Sequence, residues 1–142
     1  MRNPLTQYHF SVEWGGTRIG VSEISGLNVE LDVVERRDGA SPEYSKTKMP
    51  VAIRYSDIVL TRRIQKGDNE FYTWITQYQL NTIERRDIII SLLNESHEPA
   101  VVWWVRNAFP RKYIGPVLNA NQPGPAMESL ILAHEGLTVR NE

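Results

Sequence analysis

Residues 8–16 read YHFSVEWGG, and this stretch decides the fold class because its apolar and polar side chains alternate strictly. In an extended chain, the apolar side chains from Tyr8 to Trp14 lie on one face and the polar ones on the other. Such alternation predicts a β-strand with one buried face. The pair Gly15-Gly16 is typical of a two-residue hairpin turn, so residues 19–24 are predicted to form the returning strand.

The same reading along the rest of the chain predicts a mainly β protein. Val29, Leu31 and Val33 alternate with polar neighbours, and residues 55–64 resume an alternating pattern. Residues 87–93 and 100–105 are apolar on nearly both faces, which is typical of strands that are covered on both sides. With a last strand at residues 127–135, the sequence predicts about seven strands, and residues 110–125 are predicted to be an irregular connection.

One segment departs from the strand pattern and predicts a helix. Phe71, Trp74, Ile75 and Tyr78 are spaced as one face of an amphipathic helix, beginning after Asp68 or Asn69 as the N-cap and ending near residues 80–81. A mainly β chain with one helix belongs to the α+β class, and the predicted architecture is two packed antiparallel sheets flanked by that helix.

The composition excludes several classes of function. The chain has 142 residues, enough for one domain spanning residues 1–142, with 16 basic and 17 acidic residues. This balance argues against a nucleic-acid-binding module, which would carry a net basic surface. The chain has no cysteine, so disulfides and cysteine-ligated metals are excluded. Its apolar runs are too short to predict a membrane anchor, and its start predicts no secretion signal.

The sequence carries no pattern that predicts an enzyme. His9, His97 and His134 are scattered, and none has a helical partner at metal-ligand spacing. There is no nucleophile elbow and no glycine-rich phosphate loop, and acidic pairs such as Glu30 and Asp32 fall at strand spacing on a polar face. We therefore predict no catalytic, cofactor-binding or metal-binding residue, although a hydrolase with two carboxylates brought together by the fold stays an open alternative.

Two features point to association with other chains. Adjacent residues of a strand face opposite ways, so Trp103 and Trp104 cannot both lie in one core, and a neighbouring subunit could cover one of them. Residues 38–50 are polar and contain no strand pattern, and loops of this length are usually functional. The residues alone indicate a β-rich oligomer, or a monomeric β-sandwich binding module that uses the 38–50 loop.

Several segments, in order, resemble the phage tail tube protein family, which includes the inner tubes of extracellular contractile injection systems. The matching stretches cover nearly the whole chain. They are residues 3–12, 21–27 (VSEISGL), 58–62, the helix around 71–74, 85–93, 107–113 and 128–137.

The resemblance implies hexameric rings that jointly line a β-barrel and stack into a hollow tube inside a contractile sheath. The tube would be driven through a target envelope and would deliver DNA or protein cargo without binding it specifically. The implied partners are other copies of the chain, the sheath protein, the baseplate or hub and the tube-terminating proteins. Such a protein would be made in the bacterial cytoplasm and end in a virion or extracellular particle.

Site residues follow from placing this chain in such a tube. Val29, Leu31 and Val33 are predicted to face the domain core. The predicted lumen-facing residues are Asn28, Glu30, Asp32, Val59, Thr61 and Arg63. The predicted contacts between rings or subunits, most of them on the 38–50 loop, are Asp38, Gly39, Ser41, Glu43, Tyr44, Lys46, Lys48 and Trp103.

Overall fold

The computed structural model describes residues 4–36 and 47–141, except for the side chains of Gln79 and Leu80. These residues form ten strands and one α-helix. The strands are β1 Phe10–Trp14, β2 Thr17–Ile19, β3 Glu23–Ser25, β4 Val29–Arg36, β5 Thr47–Tyr55, β6 Ile58–Arg63, β7 Arg86–Leu93, β8 Pro99–Ile114, β9 Met127–Ala133 and β10 Gly136–Asn141. The helix α1 spans Glu70–Thr76, and a 3₁₀ turn continues it through Gln77–Leu80.

The long strand β8 joins two antiparallel sheets. Its first half pairs with β7 and β10, giving a first sheet in the order β2-β1-β7-β8-β10. Its second half pairs with β9, giving a second sheet in the order β8-β9-β6-β3. Between the two halves, Asn107 takes a positive φ of 52°, a conformation that Asn tolerates better than most residues. The predicted pair of packed sheets with one helix is therefore confirmed.

The core lies between the two sheets and beneath the helix. Its fully buried members are aliphatic residues of the central strands, together with Phe71 and Trp74 of α1. Trp74 packs edge-to-face on Trp14 with the ring centroids 5.3 Å apart, and its indole nitrogen donates a hydrogen bond of 2.8 Å to the Glu84 carbonyl. This bond satisfies the polar atom of an otherwise apolar side chain, so the helix is fixed on the sheets.

The helix begins as the sequence predicts but ends differently. The Asp68 carboxylate accepts a hydrogen bond from the Glu70 amide, which lies in the first turn. Phe71 and Trp74 are buried, whereas Tyr78 is 67% exposed, so its predicted place on the buried face is wrong. The reason is that Tyr78 lies in the 3₁₀ turn after Thr76, beyond the part of the helix that packs on the sheets.

Three strand boundaries differ from the predictions. Residues 47–50, predicted as loop, belong to β5, and Pro50 fits there because β5 pairs with β4 alone. β8 continues to Ile114 through a stretch predicted to be irregular, and β10 follows Gly136, where the last strand was predicted to stop. The predicted continuous strand at 55–64 is also interrupted, at residues 56–57.

Candidate assembly surfaces

Strands β4 and β5 form a two-stranded sheet of their own, which we call the β4–β5 ribbon. Every residue of β4 except Asp32 is exposed, and every residue of β5 except Tyr55 is exposed. Among the described residues, the ribbon is anchored to the body at the end where β4 begins and β5 ends. There Tyr55 and Leu27 pack against the core, and the Tyr55 ring contacts His134. The ribbon therefore projects from the two-sheet body with both faces uncovered by the described chain.

One face of the ribbon is apolar. Val29, Leu31, Val33 and Ile53 are 53–59% exposed. Leu31 lies directly opposite Ile53, so the two side chains share this face. The prediction that Val29, Leu31 and Val33 face the domain core is therefore wrong. Alternation shows that a strand has an apolar face but does not show which layer covers it, and here no second layer from residues 4–36 or 47–141 does.

The other face of the ribbon is polar near the body, where it carries two of the predicted lumen residues, and apolar farther out, where Val34 lies opposite Met49. Glu30 lies opposite Arg54 in the register of the ribbon. The Arg54 guanidinium donates a hydrogen bond of 2.9 Å to the Asp32 carboxylate. Because Arg54 is largely exposed, this ion pair adds little stability by itself. The face thus presents both signs of charge, and Asn28, also exposed, lies immediately before β4.

The other three predicted lumen residues lie together on the outer face of the second sheet. Val59, Thr61 and Arg63 alternate with the buried residues of β6. Ser129 of the neighbouring strand β9 lies opposite Thr61, and their hydroxyl oxygens are 2.9 Å apart. Sequence reading missed the residues that share this face, among them Glu23, Ser25, Ser129 and Ile131. They could be recognised only from strand register.

Trp103 and Trp104 lie on opposite faces of the first sheet, as predicted. Trp103 is half-buried against the core and lines an open cleft of about 590 Å³ between the sheets, together with Phe10, Ile24 and Leu92. Trp104 is 40% exposed on the outer face, beneath the Arg140 guanidinium. Each tryptophan thus leaves apolar surface open, Trp103 in a concave site and Trp104 on a flat one.

Most of the predicted contact loop lies outside the described residues. This applies to Asp38, Gly39, Ser41, Glu43, Tyr44 and Lys46. Lys48 lies in β5, exposed and opposite Glu35 of β4. Its predicted role in assembly stays a prediction.

Gly26 lies in the backbone segment that joins the body to the ribbon. Its φ is +91°, and a Cβ atom at this position would lie 2.0 Å from the Asp57 carbonyl oxygen. The two chain segments that join the body to the ribbon are hydrogen-bonded to each other here, since the Ser56 amide donates to the Asn28 carbonyl. Only glycine combines this φ with such a close approach, so the backbone at this point sets the direction in which the ribbon leaves the body.

The buried polar residues of the body form a closed network rather than a reactive site. Arg62 donates to Glu128 at 3.0 Å and makes two bonds of 3.0 Å to Asp68, and Tyr113 donates to Glu128 at 2.8 Å. Burial and the hydrogen bond to the Glu128 carboxylate raise the pKa of Tyr113. Asp68 also accepts a hydrogen bond from the Glu70 amide in the first turn of α1, so the network ties α1 to the second sheet.

The histidines make contacts that the sequence did not predict. His9 Nε2 and His97 Nδ1 lie 2.8 Å apart at the surface, and His134 Nε2 lies 2.9 Å from the Ser56 carbonyl oxygen. Across residues 4–36 and 47–141, no three His, Asp or Glu side chains are grouped so that they could hold a metal ion. None of the helices in these ranges is long and apolar enough to cross a membrane.

The comparisons with known proteins agree with this geometry. The model of the T4-like virus tail tube protein gp19 family matches residues 6–138. A chain of the PVC extracellular contractile injection system sheath–tube complex, in the extended state, is 31% identical with a TM-score of 0.88. The match covers 98% of this chain and 93% of that one. No curated protein sequence gives a significant match.

Two further solved structures extend the comparison. A chain of the tube-terminating cap of the anti-feeding prophage is 33% identical with a TM-score of 0.91, covering 100% of this chain and 94% of that one. Hcp1 from Flavobacterium johnsoniae shares the fold at 19% identity and a TM-score of 0.60, over 95% of this chain and 97% of that one. The family predicted from the sequence is confirmed, and this chain belongs to the T4-like virus tail tube protein gp19 family.

Proposed function

We propose that this chain is the ring-forming subunit of the inner tube of a contractile injection machine. The observation that carries the proposal is the β4–β5 ribbon, which projects from the body with an uncovered apolar face and a charged face. A two-stranded ribbon alone is marginally stable in water. It becomes stable when neighbouring copies, in the same ring and in the next, cover the apolar face, and the charged part of the opposite face is then left to line a channel.

The ring is closed by heterologous contacts between copies, six to a ring as the resemblance to tail tube proteins implies. A heterologous contact joins two different surfaces of one chain, so it can close into a ring and leave both ring faces free to stack. The cleft at Trp103 offers a concave apolar seat for a neighbouring copy. The predicted contact segment 38–50, whose last residues, including Lys48, lie in β5, is assigned to the contact with the adjacent ring. Strands shared around the ring also remove the free edges that invite aggregation.

The lumen in this proposal is lined by Asn28, Glu30, Asp32, Val59, Thr61 and Arg63. The charged members are of both signs, so their fields partly cancel along the channel. Neutral and mixed lining would let DNA or a folded protein pass without binding tightly. The residues that share the outer face of the second sheet, such as Ser129, add small polar side chains to this surface.

The further partners and the cellular setting follow from the relatives. Similar chains occur in a sheath–tube complex, in a sheath/tube terminator and in a six-fold baseplate, so this tube is surrounded by a sheath and bounded by a baseplate and a terminator. The subunit has a structural role without catalysis. It is made in the bacterial cytoplasm and works in a virion or an extracellular particle.

The solution mass of the purified chain and negative-stain microscopy of concentrated protein and of native particles test the proposal. We expect hollow six-membered rings or tubes. The variant Glu30→Lys/Asp32→Lys should still form rings while changing the charge of the channel, and Glu95→Lys/Glu98→Lys, in the exposed β7–β8 turn, is the charge-matched control. A monomer that is also missing from every tube of the native particle would reject the proposal and favour the monomeric binding module.

A further inference from the structure

The loop of residues 115–126, between β8 and β9, carries an exposed apolar tip. Val117 is 90% exposed and Leu118 is 83% exposed, which makes them the two most exposed large hydrophobic side chains among the described residues. The loop contains no Asp, Glu, Lys or Arg, in a chain of which 23% is charged. Two adjacent aliphatic residues on an uncharged, protruding loop are typical of a contact surface rather than of a solvated turn.

The loop is also held in shape before any partner binds. The Asn119 side chain accepts a hydrogen bond of 2.9 Å from the Asn121 amide, and the Gln122 amide donates to the Asn119 carbonyl. Pro116, Pro123 and Pro125 restrict the backbone on both sides of this turn. Because little conformational freedom remains to be lost, contacts made by the tip are not offset by the ordering of the loop.

The loop and the ribbon leave the second sheet at opposite ends. The β4–β5 ribbon leaves the second sheet where β3 ends at Ser25 and β6 begins at Ile58. The 115–126 loop leaves the same sheet at the opposite end, where β8 ends at Ile114 and β9 begins at Met127. The two features are separated by the length of β6, roughly 17 Å for six residues. Two uncovered apolar surfaces thus lie at opposite ends of one sheet.

We infer that the Val117–Leu118 tip of one subunit docks on the apolar face of the β4–β5 ribbon of a second copy in the next ring. The inference rests on the proposed tube function and adds the contact that stacks the rings. Head-to-tail stacking requires different, complementary surfaces at the two ends of the subunit, and an apolar tip and an apolar ribbon meet this requirement. Both surfaces are apolar, so they exclude water from each other without leaving a buried charge.

Photo-crosslinking in assembled tubes or intact particles tests the contact directly. A benzophenone amino acid replaces Leu118 in the full chain, and the same residue in place of Arg18 on the β2 edge is the control. We expect an adduct of twice the chain mass from position 118, with the linked peptide from residues 29–53, at least about tenfold above the control. An adduct with the sheath protein, or a yield equal to the control, would overturn the inference.

A pair of variants separates apolar contact from loop shape. Val117→Ser/Leu118→Ser should form rings of unchanged mass but shorten the tubes at least about tenfold, whereas Val117→Ile/Leu118→Met should keep the tube length of the parent. Tubes of equal length from both variants would reject the stacking contact while leaving the tube proposal intact. Failure of the parent chain to form rings in any preparation would reject the tube proposal itself.

Discussion

The two-sheet body and the β4–β5 ribbon have the same alternating sequence pattern and opposite environments. In β6, Leu60 is fully buried between the sheets, whereas in β4 Leu31 is 54% exposed on the ribbon. The difference lies in the second layer, since the body supplies its own and the ribbon does not. Burial inside one chain stabilises the monomer, and apolar surface that the chain leaves uncovered is available to stabilise an assembly.

The largest loss of stability is expected when the buried ion pair of the body, Arg62 with Glu128, is broken. Replacing Arg62 by Met leaves the buried Glu128 carboxylate with Tyr113 as its remaining hydrogen-bond donor and removes both bonds to Asp68. We expect the free energy of unfolding to fall by about 3–5 kcal/mol in denaturant titrations. The double variant Arg62→Met/Glu128→Leu should recover a large part of this loss. A single variant as stable as the parent would show that the network does not hold the helix to the sheet.

Two matched leucine variants, one in the body and one in the ribbon, test the difference between these two regions most directly. Leu60→Ala removes a fully buried side chain and should destabilise the isolated chain by about 2–5 kcal/mol. Leu31→Ala should change the stability of the monomer by less than about 1 kcal/mol. The same substitution should weaken ring or tube formation at least about tenfold, measured by sedimentation at equal protein concentration. Equal losses of monomer stability would show that the ribbon folds onto the body.

A variant of Gly26, in the segment that joins the body to the ribbon, tests whether the direction of the ribbon matters for stability and assembly. In Gly26→Ala the new methyl group meets the Asp57 carbonyl oxygen and the residue keeps a positive φ, so we expect a loss of about 2 kcal/mol or more. Gly16→Ala is the control, because its φ is +87° with no atom within 4 Å, and it should lose only about 1 kcal/mol. If the two variants unfold alike and assemble alike, the close approach at Gly26 has no consequence for the ribbon.

The smallest effect concerns Tyr113, at the edge of the buried network. Tyr113→Phe removes the bond to Glu128 and should cost about 1–2 kcal/mol near neutral pH. The raised pKa of Tyr113 in the folded chain means that the parent keeps this contribution below its unfolded pKa of about 10. The contribution is lost as pH rises through the folded pKa. The free energies of unfolding of the two proteins should therefore differ at pH 8 and converge as the pH rises well above 10, and a difference that stays constant with pH would contradict this assignment.

Sequence reading found the strands whose residue pattern is marked, whether or not the chain buries them. The strands β1, β4 and β6 were predicted from the alternation of apolar and polar residues, and β7 from a run that is apolar on nearly both faces. The strand β5 was missed because it contains Pro50, and a proline within a run argues against a strand unless the strand lies at an edge, as β5 does. Tyr78 was placed on the buried face because helical spacing does not show where the packed part of a helix ends.

The sequence by itself determined the class of the fold, the position of the helix and, through ordered segments along the whole chain, the family. These properties rest on local spacing and on residue order, which a linear chain displays directly. Only the tertiary structure decided that Val29, Leu31 and Val33 stand outside the core, and that the ribbon and the Val117–Leu118 tip lie at opposite ends of one sheet. The physical reason is that coverage of an apolar face depends on a second layer from distant residues, which alternation within one strand does not encode.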